Sequence, residues 1–224
     1  MTAIAIYPER GQPLEPDLTL FAAIASDLER QGYSVQPNAL PACMSGALLD
    51  CVQTLDPTVF KEAGIGRGGD YLQNDFVRKD AICWITGETP AGRQWLDWTL
   101  ELQRFLNRRL FLGLFSFESH FAHYRPGAFY KRHYDAFKGQ ANRTLSVVAY
   151  LNPDWIPSDG GSLVLYRGDG DRQGLRVQPL LGTLVVFLSE EFPHEVLAAQ
   201  RDRYSIAGWY RVNTSLGARV DPPR

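Results

Sequence analysis

The chain lacks a basic excess. Its 23 Lys and Arg are set against 25 Asp and Glu, for a formal net charge of −2. A protein that grips a phosphate backbone by charge usually carries surplus cations, so nucleic acid is disfavoured as a partner. The local cluster Arg104, Arg108 and Arg109 reads as a solvated helix face. Cysteine is scarce, with three residues (Cys43, Cys51 and Cys83), an odd number and no C-x-x-C. A disulfide framework or zinc ribbon is therefore disfavoured, and buried free thiols in a reducing compartment are expected. No apolar run approaches the roughly 18 residues of a membrane span. The N-terminus carries Glu9 and Arg10 in place of an apolar signal core, and a cytoplasmic location follows by elimination. Repeats, low-complexity tracts and linker-like stretches are absent as well.

What remains is an ordinary globular composition. Across 224 residues, 45% are hydrophobic and 21% charged, with 12 Phe, 10 Tyr and 5 Trp to fill a core. The two halves differ in pattern. The first reads as helices with a few strands. Leu18, Phe21, Ile24, Ala25 and Leu28 recur at helical spacing over 17–31, between a capping Asp17 and a stopping Gly32. A second helix is expected over 42–55. A third covers 90–110, with Pro90 in its first turn and Trp95, Trp98, Leu102, Phe105 and Leu106 on one stripe. Residues 64–80 are rich in Gly and charge and read as a mobile loop, followed by a strand over 81–85. From residue 112 onward, short strands alternate with turn residues. They are expected at 113–124, 129–135, 143–151, 161–166, 174–178, 182–188, 193–197 and 203–212. This pattern predicts a mainly β fold: a jelly roll (double-stranded β-helix, cupin-like) packed against N-terminal helices. One domain is expected over 1–224. Its helical wall spans 1–111, its jelly-roll core 112–212 and a tail 213–224.

One stretch carries chemistry. In a strand through residues 130–135, side chains alternate, so His133 and Asp135 share a face. A third ligand can come from His194 in Phe192-Pro193-His194. Two imidazoles and one carboxylate leave open positions on an octahedral ion, as in non-haem Fe(II) oxygenases. Nine residues beyond His194, Arg203 opens an apolar strand, where a cation is costly unless paired. A dianionic cosubstrate would supply the partner through a guanidinium–carboxylate fork. His120 and His123, on opposite faces of one strand, read as structural. Alternation turns Glu195 away from the metal.

Five segments extend the argument: RKDAICWITG (78–87), YRPGAFYKRHYD (124–135), RTLSVVAYLNPDW (143–155), DGGSLVLY (159–166) and PHEVLAAQRDRYSIAGWY (193–210). Together they resemble the prolyl 4-hydroxylase-type 2-oxoglutarate oxygenases, in particular the bacterial relatives of the animal oxygen-sensing prolyl hydroxylases. Aligning Tyr124, and the turn after Asp135, each takes a one-residue gap. The resemblance implies that His133, Asp135 and His194 ligate Fe(II) and that Arg203 grips the far carboxylate of 2-oxoglutarate, supported by Tyr150. It places Tyr124 near the metal and cosubstrate, and Trp209 on the substrate side. Asp80 and Arg143 are implied as a charged pair near the entrance, close in space. Loop 64–80 corresponds to a segment that covers the substrate.

The implied cosubstrates are 2-oxoglutarate and O2, with ascorbate as a possible reductant. The implied reaction hydroxylates an unactivated C–H bond, most readily a prolyl residue in a protein, and releases succinate and CO2. A translation factor is a candidate substrate. Three other readings compete: the same chemistry on free proline or another metabolite, a non-catalytic cupin-like metal-binding module, and a nucleic-acid demethylase, which the charge balance disfavours. The sequence sets no oligomeric state.

Overall fold

The computed structural model describes residues 17–62, 79–136 and 142–213. Most of the loop read over 64–80, and the tail after 213, lie outside the described residues. Three helices form where the apolar spacing places them: α1 (Leu18–Gln31), α2 (Ala42–Thr54) and α3 (Pro90–Leu110). Asp17 caps α1 by accepting from the Leu20 amide, and Gly32 ends it in the left-handed region. Thr89 caps α3 through the Gly92 amide. Arg104, Arg108 and Arg109 are solvent-exposed on α3. Arg104 pairs there with Glu101 at 2.6 Å.

The strands are β1 (Tyr33–Gln36), β2 (Lys61–Glu62), β3 (Ala81–Trp84), β4 (Leu114–Tyr124), β5 (Tyr130–His133), β6 (Arg143–Tyr150), β7 (Leu163–Leu165), β8 (Leu175–Val177), β9 (Leu184–Leu188), β10 (His194–Val196) and β11 (Arg203–Val212). They build two antiparallel sheets: a seven-stranded one ordered β1-β9-β6-β11-β4-β3-β2, and a four-stranded one ordered β5-β10-β7-β8. This is the jelly roll that the strand spacing predicts.

Alternation gives the large sheet two distinct faces. Leu145, Val147 and Ala149 on β6, Leu184 and Val186 on β9, and Ile206 and Tyr210 on β11 pack against the buried stripes of α1, α2 and α3. The opposite face, with Ala122, Tyr124, Tyr150, Val185 and Phe187, packs against Leu163, Leu165, Val177 and Val196 of the small sheet. Helices thus cover one side of the large sheet, and the other side turns into the barrel, where the candidate site lies. Strand β1 was not foreseen individually. Its four residues are too few for a period to show, and it is recruited by edge pairing with β9. The thiols differ from expectation in their exposure. All three are free, but Cys43 is exposed and Cys51 and Cys83 are half-buried.

Candidate active site

His133 ends β5 and His194 begins β10, and the antiparallel register sets the two residues directly opposite each other. Their ring centroids are 4.3 Å apart. Strand β5 stops at His133, so alternation is not what positions Asp135. Its carboxylate is held from the large sheet by the Ser146 hydroxyl at 2.7 Å, and Ser146 is bonded in turn to Ser189 at 2.9 Å. The Asp135 oxygens lie 3.6 Å from Nε2 of His133 and 3.6 Å from Nε2 of His194. One ligand-type atom from each of the three residues falls within 4.8 Å of the others.

The imidazoles are oriented alike. Nδ1 of His133 lies 2.8 Å from the Lys131 carbonyl, and Nδ1 of His194 lies 3.1 Å from the Phe192 carbonyl. Each Nδ1–H therefore donates to the carbonyl two residues before it, which leaves Nε2 as a lone-pair donor. Tyr130 stacks on His133 at 3.6 Å, and Phe187 meets His194 edge-on at 4.8 Å. Burial, helped by the neighbouring His133, pushes His194 down to about 4, so its ring is neutral at pH 7. Burial opposes ionisation of Asp135. The adjacent His194 and His133 and the Ser146 hydroxyl outweigh it and hold the carboxyl well below its ordinary range. Two imidazoles presenting Nε2 and a carboxylate form a donor set suited to a divalent transition metal.

Deeper in the barrel lies Arg203, 1% exposed. Its Nε donates to the Gly161 carbonyl at 2.8 Å and its Nη1 to the Ser205 hydroxyl at 3.1 Å. The guanidinium carbon lies 4.8 Å from the Tyr124 ring centroid and 5.2 Å from that of Tyr150. No carboxylate among the described residues pairs with it. The Tyr150 hydroxyl beside it is fully buried and makes no hydrogen bond. Burial pushes this phenol up to about 12 against the pull of Arg203, so it stays a neutral donor. A buried cation and a buried unused donor are each costly alone. A carboxylate between them would relieve both. Ser146 and Tyr150 are two inward positions apart on β6, about 13 Å of strand. With side chains reaching in from both ends, that gap suits a five-carbon dicarboxylate.

Trp209 faces inward too, as the register partner of Ser146 on β6 and of Glu118 on β4. The Arg143 guanidinium lies over its ring at 3.7 Å. Here one expectation is corrected. Arg143 pairs with Glu118 at 3.0 Å, not with Asp80. Asp80 precedes Ala81, which pairs with His123, whereas Arg143 is level with Arg211 and Ser116. The two charges therefore sit at opposite ends of the sheet, on the order of 20 Å apart at a strand's rise per residue. Asp80 is buried, 3% exposed.

His123 faces outward, where it meets Asp202 at 2.7 Å and stacks on Tyr204. His120 faces inward between Trp84 and Trp209. Glu195 faces away from the cluster and accepts from the Tyr166 hydroxyl. Sequence reasoning missed Ser146, Ser189, Ser205, Gly161 and Glu118. Each acts through a cross-strand neighbour, which no local motif announces.

Paired imidazoles and a carboxylate above a buried, unpaired guanidinium, all inside a jelly roll, define a metal- and 2-oxoacid-dependent oxygenase. Comparison with known proteins agrees. Residues 119–211 match the model of the 2OG-Fe(II) oxygenase superfamily. A Pseudomonas putida prolyl-4-hydroxylase structure is similar at 41% identity and a TM-score of 0.76, over 86% of this chain and 98% of that one. A Trichoplax adhaerens prolyl hydroxylase, solved with a hypoxia inducible factor oxygen degradation domain peptide fragment, is similar at 27% identity and a TM-score of 0.78. That match covers 90% of this chain and 96% of the other. Human Egl nine homolog 1 is 29% identical over 144 residues, which is 60% of this chain but 33% of that protein. The chain thus spans about a third of the length of that curated relative. It belongs to the 2OG-Fe(II) oxygenase superfamily and is of the prolyl hydroxylase type.

Proposed function

We propose that the chain acts as one catalytic domain that hydroxylates a prolyl residue in a protein, consuming 2-oxoglutarate and O2 and releasing succinate and CO2. His133, Asp135 and His194 would hold Fe(II). When bound, the iron supplies the activation of O2 that cleavage of an unactivated C–H bond requires. The protein's part is binding, orientation and shielding. Nδ1–H bonds to Lys131 and Phe192 keep both imidazoles in the ligating tautomer. The Ser189–Ser146 relay holds Asp135. Arg203 and the Tyr150 hydroxyl receive the far carboxylate of 2-oxoglutarate, which points its 2-oxo acid end toward the metal cluster. The apolar lining of Ala122, Val148 and Phe187 limits water around it. Tyr124 packs over Arg203 and fixes the guanidinium plane.

The observation that carries this reading is Arg203: buried, without a carboxylate partner among the described residues, and beside the unbonded Tyr150 hydroxyl. A peptide substrate is supported by the Trichoplax adhaerens relative, which was solved with a peptide. The resemblance to bacterial members points to a translation factor, in the cytoplasm. No helix among the described residues is long and apolar enough to cross a membrane. Ascorbate would serve only to restore iron oxidised without product.

The test combines the protein with Fe(II), 2-oxoglutarate and cell extract, followed by peptide mass spectrometry. One proline gaining an oxygen, in step with succinate, is the expected result. Oxidation of free proline or another metabolite, with no peptide modified, would overturn the protein-substrate reading.

A further inference from the structure

Among the described residues, β5 is a four-residue edge strand, paired on one side only, with β10. Its register with β10 shifts between His194 and Val196. A short edge strand with an irregular ladder is weakly held by its backbone bonds alone. Yet β5 carries His133, whose distance from His194 decides whether the two imidazoles can share an ion. The missing constraint comes from the outer face of the small sheet, behind the metal cluster.

His133, His194 and Leu165 are level across β5, β10 and β7, with Leu165 packed inside the barrel. Arg132, Glu195 and Tyr166, each one position along, face the other way. Every residue flanking either histidine is tied to one short segment, 166–171. The Pro193 carbonyl accepts from the Tyr166 amide at 2.9 Å, and Glu195 accepts from the Tyr166 hydroxyl. The Arg132 guanidinium lies over the Tyr166 ring at 3.8 Å and donates to the carbonyls of Gly168 at 2.5 Å and Asp171 at 3.0 Å. The Tyr134 hydroxyl donates to Asp169 at 2.9 Å. The segment is braced in turn. The Asp171 carboxylate accepts from the amides of Arg167, Gln173 and Gly174, each at 3.0 Å. Gly174, at φ +61°, presses onto the sheet so closely that a Cβ would stand 3.0 Å from the Tyr166 ring.

We propose that Tyr166 is a positioning residue for the metal site, joining Arg132 to Glu195 behind the two histidines and so fixing His133 against His194. The proposal rests on the reading of His133, Asp135 and His194 as iron ligands and deepens it by naming what sets their spacing. Tyr166 is 8% exposed, so its bond to a carboxylate and its contact with a cation are both shielded from water. Groups that orient metal ligands from behind affect metal affinity about tenfold or more when removed. A purely structural brace would cost stability and leave the affinity of the folded chain intact.

The experiment titrates the metal-free full chain with Fe(II) under anaerobic conditions. The visible spectrum of the Co(II)-loaded chain is recorded alongside as a monitor of ligand geometry. Tyr166→Phe keeps the ring beneath Arg132 and removes the bond to Glu195. Its Fe(II) dissociation constant should rise about tenfold, with altered Co(II) bands. Glu195→Ala breaks the same bond from the other side and should match it. Tyr166→Phe combined with Glu195→Ala should be no weaker than either alone. Glu195→Gln, whose amide oxygen still accepts from the phenol, should stay within about threefold of the starting protein. Fe(II) affinity and Co(II) bands unchanged in both single variants would reduce the cluster to a structural brace and overturn the proposal. Losses that add in full in the double variant would overturn it too, because the two residues would then act separately. Failure of the starting protein to bind Fe(II) is a different result, which would sink the iron-ligand reading itself.

Discussion

At the residue scale, the telling groups look badly placed in isolation. The Tyr150 hydroxyl is buried without a bond, so the folded chain gains nothing from it until a ligand arrives. Tyr150→Phe should therefore leave the melting temperature of the metal-free protein unchanged or slightly raised. It should raise the KM for 2-oxoglutarate about tenfold, the scale of one hydrogen bond to a charged group. Thermal melts and steady-state kinetics on the same preparation check both halves.

Gly161 is a second such residue. Its φ of +65° suits glycine, and a Cβ there would stand 3.1 Å from Cδ of Arg203 and 3.0 Å from Cβ of Ala199. Gly161→Ala should cost about 1–3 kcal/mol in stability. It should also weaken 2-oxoglutarate, because the crowded atom belongs to the arginine that receives it.

His194 makes a pH prediction. Its folded value of about 4 lies below the ordinary 6.5. Between those values the unfolded chain binds a proton that the folded chain refuses, so stability rises with pH. The metal-free protein should lose stability as pH falls from about 6.5 towards 4, by an amount on the order of 3 kcal/mol. Denaturant melts across that range, compared with His194→Ala, measure it. A pH dependence identical in the variant would remove His194 as the cause.

At the element scale, the two faces of the large sheet separate stability from chemistry. Trp95 on α3 is fully buried, stacks on Trp98 and donates to the Ser119 hydroxyl at 3.0 Å. It grips the helix-covered face, away from the barrel interior. Trp95→Ala should cost about 3–5 kcal/mol. The fraction that stays folded should still bind metal with unchanged stoichiometry. A metal defect larger than the folding defect would mean that the faces are coupled.

The helices and most strands were legible because their apolar periods are long and bounded by residues such as Asp17, Gly32 and Pro90. The four-residue β1 was not, since only its pairing with β9 makes it a strand. Tertiary contacts decide Asp135 as well. Its position follows from a hydroxyl on β6, and alternation along β5 suggested the right neighbourhood for an incomplete reason.

At the scale of the whole molecule, the candidate site is a product of register. Three pairings across two sheets bring residues 118, 133, 143, 146, 194, 203 and 209 into one barrel, though they are scattered over about two fifths of the sequence. The H-x-D spacing and the distant His and Arg could be picked out because each residue type is chemically conspicuous. The supporting serines and Glu118 could not, since Ser and Glu are common and their role depends on which strand lies opposite. The Asp80–Arg143 pairing, which the family resemblance implied, fails for a related reason: the register of this sheet separates the two residues, and Arg143 meets Glu118 instead.

The account depends most on three side chains sharing one ion. Anaerobic titration of the metal-free protein with Fe(II), read as ions bound per chain, addresses this directly. One ion per chain is predicted for the starting protein, and none held at comparable affinity by His133→Ala, Asp135→Ala or His194→Ala, each still folded by circular dichroism. Undiminished iron binding in any of the three would contradict it.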